Sequence, residues 1–231
     1  MMKITILTDN PGSWFFPYGT SLERALQAAG HETRYVSRQQ DIEPGDVCFL
    51  LSCVRIVGPQ YLSKNRHNIV VHASDLPQGK GFAPLQWQIL EGRNEIILTL
   101  LEAAASVDAG PYYFKSTLRF DGTELYDELR SKLGSKIIEM CLEFVANLDS
   151  LAPTAQQGEG SFYRKRTEED DELDIRKTII EQFNHFRVAD NERFPLYFRH
   201  LGCKYIVKIY KADSSAEAEE NVPRTPPLVG G

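Results

Sequence analysis

His72 closes an apolar run, NIVVHAS (68–74), and a single carboxylate, Asp108, follows 36 residues later in the small-residue loop AAASVDAG (103–110). An imidazole takes and gives a proton near neutral pH, and a nearby carboxylate orients the ring and favours its charged form. Each alone has a simpler reading. A lone histidine at a strand end is commonly a hydrogen-bonded ring at the rim of the core, and an Asp beside a Gly is commonly a turn former. Only the pair points to chemistry. The stretch after the histidine, SDLPQGKG (74–81), joins a Leu-Pro step to two glycines and reads as backbone held open beside the ring. Cys48, Cys53, Cys141 and Cys203 are scattered, with no CxxC pair. Neither a zinc site nor a disulfide framework is expected, and the thiols read as buried and inert.

These groups must be positioned by the elements around them. KITILTD (3–9), TRYVS (33–37), DVCFLLSC (46–53), NIVVHAS, EIILTLLEA (95–103) and GPYYFKSTLRF (110–120) have the β-branched and aromatic content of strands. TSLERALQAAGHE (20–32), APLQWQILEG (83–92) and ELYDELRSKLGSKIIEMCLEFVANL (124–148) have apolar residues at helical spacing. The alternation predicts an α/β domain over residues 1–150 with a largely parallel sheet, and places His72 at the carboxyl edge, where such sheets bind ligands. Residues 151–210 read as a second unit: a linker, a charged stretch YRKRTEEDDELD (163–174), a helix IRKTIIEQFNHFRVA (175–189), and a hairpin of FPLYFRH (194–200) and CKYIVKIY (203–210). The acidic, proline-rich end, 211–231, is expected to be disordered.

Composition narrows the function. The chain has 231 residues, 42% hydrophobic, enough for one core and an appendage. With 26 basic and 32 acidic side chains the net charge is −6, which argues against a nucleic-acid partner, since phosphate contacts need clustered Lys and Arg. No leader and no apolar run near 20 residues is visible, so no membrane partner is expected and the chain reads as soluble and cytoplasmic. The residues after the first strand, TDNPGS, do not fit GxGxxG, which disfavours a nicotinamide dehydrogenase.

The stretch from 68 to 110 resembles the folate-dependent formyltransferases. Their motif is Asn-x-His, a Ser-Leu-Leu-Pro-like loop, a glycine, and an Asp about 36 residues on in a small-residue loop before Gly. Here His72 is followed by ASDLP and Gly81, and Asp108 lies in VDAG. APLQWQILEG is similar to the family's next helix, and VRIVG (54–58) to its pterin-cradling segment. The charged stretch and EQFNHFRV (181–188) resemble the linker and helix of the amino-sugar members. The resemblance implies a Rossmann-like, mostly parallel sheet with helices on both faces, plus a small C-terminal helix and hairpin. It implies transfer of a formyl group from 10-formyltetrahydrofolate, a co-substrate, to a primary amine, with no metal. Attack on the formyl carbon makes a tetrahedral centre with a negative oxygen, so the site needs a donor or cation there and a proton acceptor.

By the same resemblance His72 serves the oxyanion or moves the proton, and Asp108 positions His72 or a water. Arg55, Ile56, Val57, Leu76, Ala104, Val107 and Asp108 would bind the folate. Asn10, Ser13, Trp14, Arg166 and Asn184 are candidates for the acceptor, with Arg164 and Arg187 beside them. The loop DNPGSWFF (9–16) would offer backbone N–H groups to phosphate or sugar hydroxyls, and Trp14 a stacking face. The transfer-RNA members carry a large basic extra domain, and the purine member lacks the C-terminal extension. The implied acceptor is therefore an amino sugar, nucleotide-linked and destined for surface glycan. A formyl-folate hydrolase and a non-catalytic folate- or sugar-binding homologue stay open. Related sugar enzymes dimerise through the C-terminal half, which implies a homodimer here.

One departure stands out. The family's Asn two residues before the histidine is Val70 here. Asn68 lies on the same strand face but about 6.6 Å further back. Either a bulge or register shift brings Asn68 forward, or Ser74, Asp75 or Asn10 supplies the polar group.

Overall fold

The computed structural model describes residues 1–212. In chain order the first elements are β1 (Lys3–Leu7), α1 (Phe16–Ala28), β2 (Glu32–Val36), β3 (Gly45–Leu50), α2 (Pro59–Leu62) and β4 (Asn65–His72). They are followed by β5 (Lys80–Gly81), α3 (Pro84–Leu90), β6 (Glu95–Glu102), β7 (Tyr112–Arg119) and α4 (Tyr126–Asn147). The C-terminal part holds β8 (Phe162–Tyr163), α5 (Phe183–Val188), β9 (Leu196–His200) and β10 (Cys203–Val207). The six long strands form one sheet in the order β2-β1-β3-β4-β6-β7. The pairs from β2 to β4 are parallel, and β6 and β7 continue the sheet antiparallel.

Alternation along each strand sends side chains to two apolar layers. Ile4, Ile6, Val47, Phe49, Ile69, Leu98 and Leu100 enter the main core beneath α1, α3 and α4. Leu7, Cys48 and Leu50 enter a smaller layer on the other face, with Ile42 and the α2 residues Tyr61 and Leu62. Helices thus cover both faces, one thickly and one thinly, as expected for an α/β fold of this kind.

Several expected boundaries move. α1 starts at Phe16, with Pro17 in its first turn, where a missing N–H is harmless. The helix expected over 175–189 shrinks to α5 and a preceding 3₁₀ turn. Gln182 explains this: its side-chain amide donates to the carbonyls of Asp174 and Lys177, which folds 174–182 into turns. The C-terminal hairpin forms as expected, with Cys203 opposite His200, and packs on Leu173, Phe186 and Ala189. The tail expected over 211–231 lies, from 213 onward, outside the described residues. Among the described residues no helix is long and apolar enough to cross a membrane.

Candidate active site

The sheet order reverses beside β1, where β2 lies on one side and β3 on the other, and the loops after β1 and β3 open a crevice there. Asp9 bridges it. Its carboxylate accepts the N–H groups of Val54 (2.9 Å) and Arg55 (2.8 Å), fixing the 52–57 loop against the end of β1. Sequence reading missed Asp9, whose partners lie some 45 positions away. The only signal was an acidic residue ending a strand.

One strand further along, His72 ends β4 with its side chain 8% exposed. Its Nε2 lies 2.8 Å from the carbonyl of Gly79. A carbonyl only accepts, so Nε2 carries a proton. Nδ1 lies 3.5 Å from Oδ1 of Asp108, itself 9% exposed. Both ring nitrogens therefore face oxygen acceptors. The ring can pass a proton on the Asp108 side, and no ring N–H is left free to meet a substrate oxygen.

Asp108 reaches His72 because its loop doubles back. β6 runs antiparallel to β4 with Thr99 opposite His72 and Glu102 opposite Ile69, so β6 ends about 10 Å from the histidine. Loop 103–110 has to climb back over that distance. Where it returns to β7, a Cβ on Gly110 would lie 1.8 Å from the carbonyl oxygen of Glu102, so only glycine fits. Asp108 adopts φ +52°, a left-handed conformation that Asp tolerates better than most residues. Its Oδ2 accepts the N–H of Gly81 at 2.9 Å, linking the two loops that flank the histidine.

Segment 74–81 is not open, contrary to the sequence reading. β5 pairs in parallel with β8, and Gly79, Lys80 and Phe82 all donate backbone N–H groups to residues 161–163. Thr99 also accepts from Leu76 and donates to the Ser74 carbonyl.

The predicted folate-binding residues differ in exposure. Arg55, Ile56, Ala104 and Val107 are exposed on the loops after β3 and β6. Val57 and Val70 pack on the smaller apolar layer together with Ala103. Leu76 is buried at 1% exposure and supports the loop from beneath. Of the ways to replace the family's Asn, a shifted Asn68 is ruled out. β4 is regular there, and the Asn68 amide donates to the carbonyl of Leu62 at 2.9 Å. Asp75 is paired with Lys115, and Asn10 accepts the N–H of Gly12 in a turn. The hydroxyl of Ser74 is buried and has no hydrogen-bond partner.

The predicted acceptor residues are drawn into other contacts. In the loop after β1, the N–H groups of Gly12, Ser13, Phe15 and Phe16 all bond within the loop, so they are not turned towards a ligand. Ser13 shares a hydrogen bond with Ser52. Trp14 packs edge-on against Phe15 and Tyr18, with the guanidinium of Arg130 near its ring. Arg164 pairs with Asp170 and Arg166 with Asp171. Arg187 is a structural residue. It is 1% exposed, pairs with Glu124, and donates to Asn94 (2.8 Å) and Asn184 (3.1 Å). None of these contacts reaches His72 or Asp108. Burial pushes the Cys48 and Cys53 thiols up to about 12, so neither supplies a thiolate near neutral pH.

An open α/β sheet with a buried histidine–carboxylate pair at its carboxyl edge, and two loops joined across the switch point, defines an α/β protein with a candidate ligand site at that edge. The family model described as formyl transferase matches residues 17–142, more than half of the chain, and the chain belongs to that family. Among curated relatives, the methionyl-tRNA formyltransferase of Francisella philomiragia is 26% identical over 149 residues, which cover 64% of this chain and 47% of that protein. The chain thus spans about half the length of the curated relatives it matches. Among solved structures, a methionyl-tRNA formyltransferase from Clostridium thermocellum superposes with TM-score 0.76 at 17% identity, covering 92% of this chain and 94% of that one. A 4-N formyltransferase from Francisella tularensis gives 0.71 at 16%, covering 92% and 98%. HypX from Aquifex aeolicus in complex with tetrahydrofolic acid gives 0.72 at 18%, covering 90% and 37%. At these identities the likeness to solved structures is one of fold.

Proposed function

We propose that this protein transfers a formyl group from 10-formyltetrahydrofolate to the primary amine of a nucleotide-linked amino sugar. The observation that carries the transfer chemistry is the buried His72–Asp108 pair at the carboxyl edge, in a chain of the formyl transferase family. Apolar surface for a flat ring system is at hand: Val57, Val70 and Ala103 lie half-buried on the smaller apolar layer, and Ile56 and Val107 are exposed on the loops after β3 and β6. The co-substrate supplies the formyl carbon, which gains a bond to the amine nitrogen and loses its bond to the folate nitrogen, while a proton passes from the amine to that nitrogen.

The chain's own residues handle that proton. His72 Nδ1 receives it beside Asp108, whose carboxylate stabilises the imidazolium, and returns it as the folate nitrogen leaves. Asp108 keeps its position through the N–H of Gly81. With Asp75 held by Lys115 and unable to donate, the candidate donors to the formyl oxygen are the Asn10 amide, of which only the oxygen is used by Gly12, and the buried, unpartnered hydroxyl of Ser74. The net charge of −6 supports a sugar acceptor over a transfer RNA, while the fold is shared with a methionyl-tRNA formyltransferase and with a sugar N-formyltransferase alike.

The test is a screen of 10-formyltetrahydrofolate against nucleotide-linked 3-amino and 4-amino sugars, with methionyl-tRNA as a parallel arm, following formylated product by mass. A formyl sugar is expected. Formylated methionyl-tRNA alone would overturn the acceptor. Folate turnover without any acceptor would indicate a hydrolase, and folate binding without turnover a non-catalytic homologue, to which Val70 lends some weight.

A further inference from the structure

His72 ends β4 and Asp108 sits on the loop after β6, and the loops beside both are tied to one later segment. Thr154 exchanges two backbone hydrogen bonds with Tyr112, which brings residues 154–163 back across the carboxyl edge. Gln156 then donates its amide to the carbonyl of Asp108 (2.9 Å) and to that of Gly110 (2.8 Å). Ser161 takes hold of the other loop twice. Its Oγ accepts the N–H of Gly79 at 2.8 Å, and its carbonyl accepts the N–H of Lys80 at 3.0 Å.

The two bonds fix the peptide planes on either side of Gly79: the Ser161 hydroxyl holds the N–H of the Gln78–Gly79 plane, and the Ser161 carbonyl holds the Gly79–Lys80 plane. The carbonyl of Gly79 and the N–H of Lys80 belong to one peptide plane and point in opposite directions. That plane is held at one end by Ser161 and presents its other end to Nε2 of His72 at 2.8 Å. The flanking residues Gly79 and Gly81 have φ of +70° and +95°, so the loop's own backbone preferences do not fix the plane. The ring nitrogen that carries the proton is set by whatever fixes it.

We propose that residues 154–163 form an alignment strap, in which Ser161 grips the peptides on both sides of Gly79, through its hydroxyl and its carbonyl, and so holds the Gly79 carbonyl that keeps His72 in its Nε2–H tautomer. Gln156 holds the backbone of Asp108 in reach of Nδ1. Ser161 and Gln156 are positioning residues that touch neither donor nor acceptor. Their effect on rate rests on the formyl-transfer reading above, but their effect on the histidine does not.

The experiment uses the full chain labelled with ¹⁵N-histidine. The imidazole correlation spectrum reports the tautomer of His72, assigned by its loss in His72→Asn. The wild-type ring should show Nε2–H. Ser161 is exposed, so Ser161→Ala should stay folded by thermal melting, yet its His72 signals should move towards a mixture of tautomers, and Ser161→Thr should restore them. Turnover of Ser161→Ala and of Gln156→Met should fall by ~10- to 100-fold with KM for the folate little changed, the scale expected for misaligned groups. A wild-type tautomer signature in Ser161→Ala, or failure of Ser161→Thr to restore it, overturns the proposal. If the wild-type protein transfers no formyl group, the proposed function falls while the imidazole spectrum still decides the strap.

Discussion

The side-chain amide of Asn68 donates to the carbonyl of Leu62 at 2.9 Å, two strand positions below Val70 on the same face of β4. That bond commits the amide that precedes Val70 on this strand face, and Val70 itself packs against Leu7, Cys48 and Leu50. Val70→Asn would set an amide in an apolar layer with no partner, at a cost of about 1–3 kcal/mol. The variant should melt earlier and be no faster in single-turnover formyl transfer. A clear gain in rate would show that the site is a degraded form of the ordinary one.

His72→Asn should fold normally and lose at least ~100-fold in turnover, the scale of a general acid–base group. Asp108→Ala should lower kcat far more than it raises KM for the folate, because it acts on the ring in the transition state. Steady-state kinetics on both variants check this; a rise in KM alone would make Asp108 a binding residue.

Arg187 tests the reassignment from acceptor anchor to structural residue. Its guanidinium is buried against Glu124 and Asn94 and joins α5 to the segments preceding α4 and β6. Arg187→Ala leaves the Glu124 carboxylate without that partner and should cost about 3–5 kcal/mol. Denaturant unfolding reads the loss. A KM change for the acceptor with unaltered stability would restore the binding role.

His185 sets an acid limb on stability. Burial, and then the nearby Arg166 cation, hold its pKa below the usual 6.5, and its Nδ1 has no partner. Once unfolded, the ring takes a proton at its ordinary value. As pH falls below about 6.5 the unfolded chain therefore binds more protons than the folded one, and stability drops until the folded pKa is passed. His185→Gln should flatten the fall in Tm between pH 7 and pH 5.5 while leaving behaviour above pH 7 unchanged.

The hairpin leaves Leu201, Tyr205 and Ile206 at 89%, 45% and 53% exposure, while Leu196, Phe198 and Val207 pack with Leu173 and Phe186. We expect a homodimer through this hairpin. Sedimentation should give a dimer at micromolar concentration and a monomer for Ile206→Asp; a wild-type monomer would remove the proposal.

The sequence by itself determined the strands, the long helix, the His72 strand end and the Asp108 loop, because each is written in local spacing: period two in NIVVHAS, small residues in AAASVDAG. It also determined the formyltransferase likeness, which the family match upholds. Tertiary structure alone decided how distant segments meet. Asp9 clamping Val54, β5 pairing with β8, and Ser161 fixing the peptide beside His72 all join residues tens of positions apart. No local preference encodes such a pairing. The same holds for Arg164, Arg166 and Arg187, which read from sequence as exposed anchors. Ion pairing with Asp170, Asp171 and Glu124 is set by where the chain returns, and only the folded arrangement decides whether a charge faces a ligand or a neighbour.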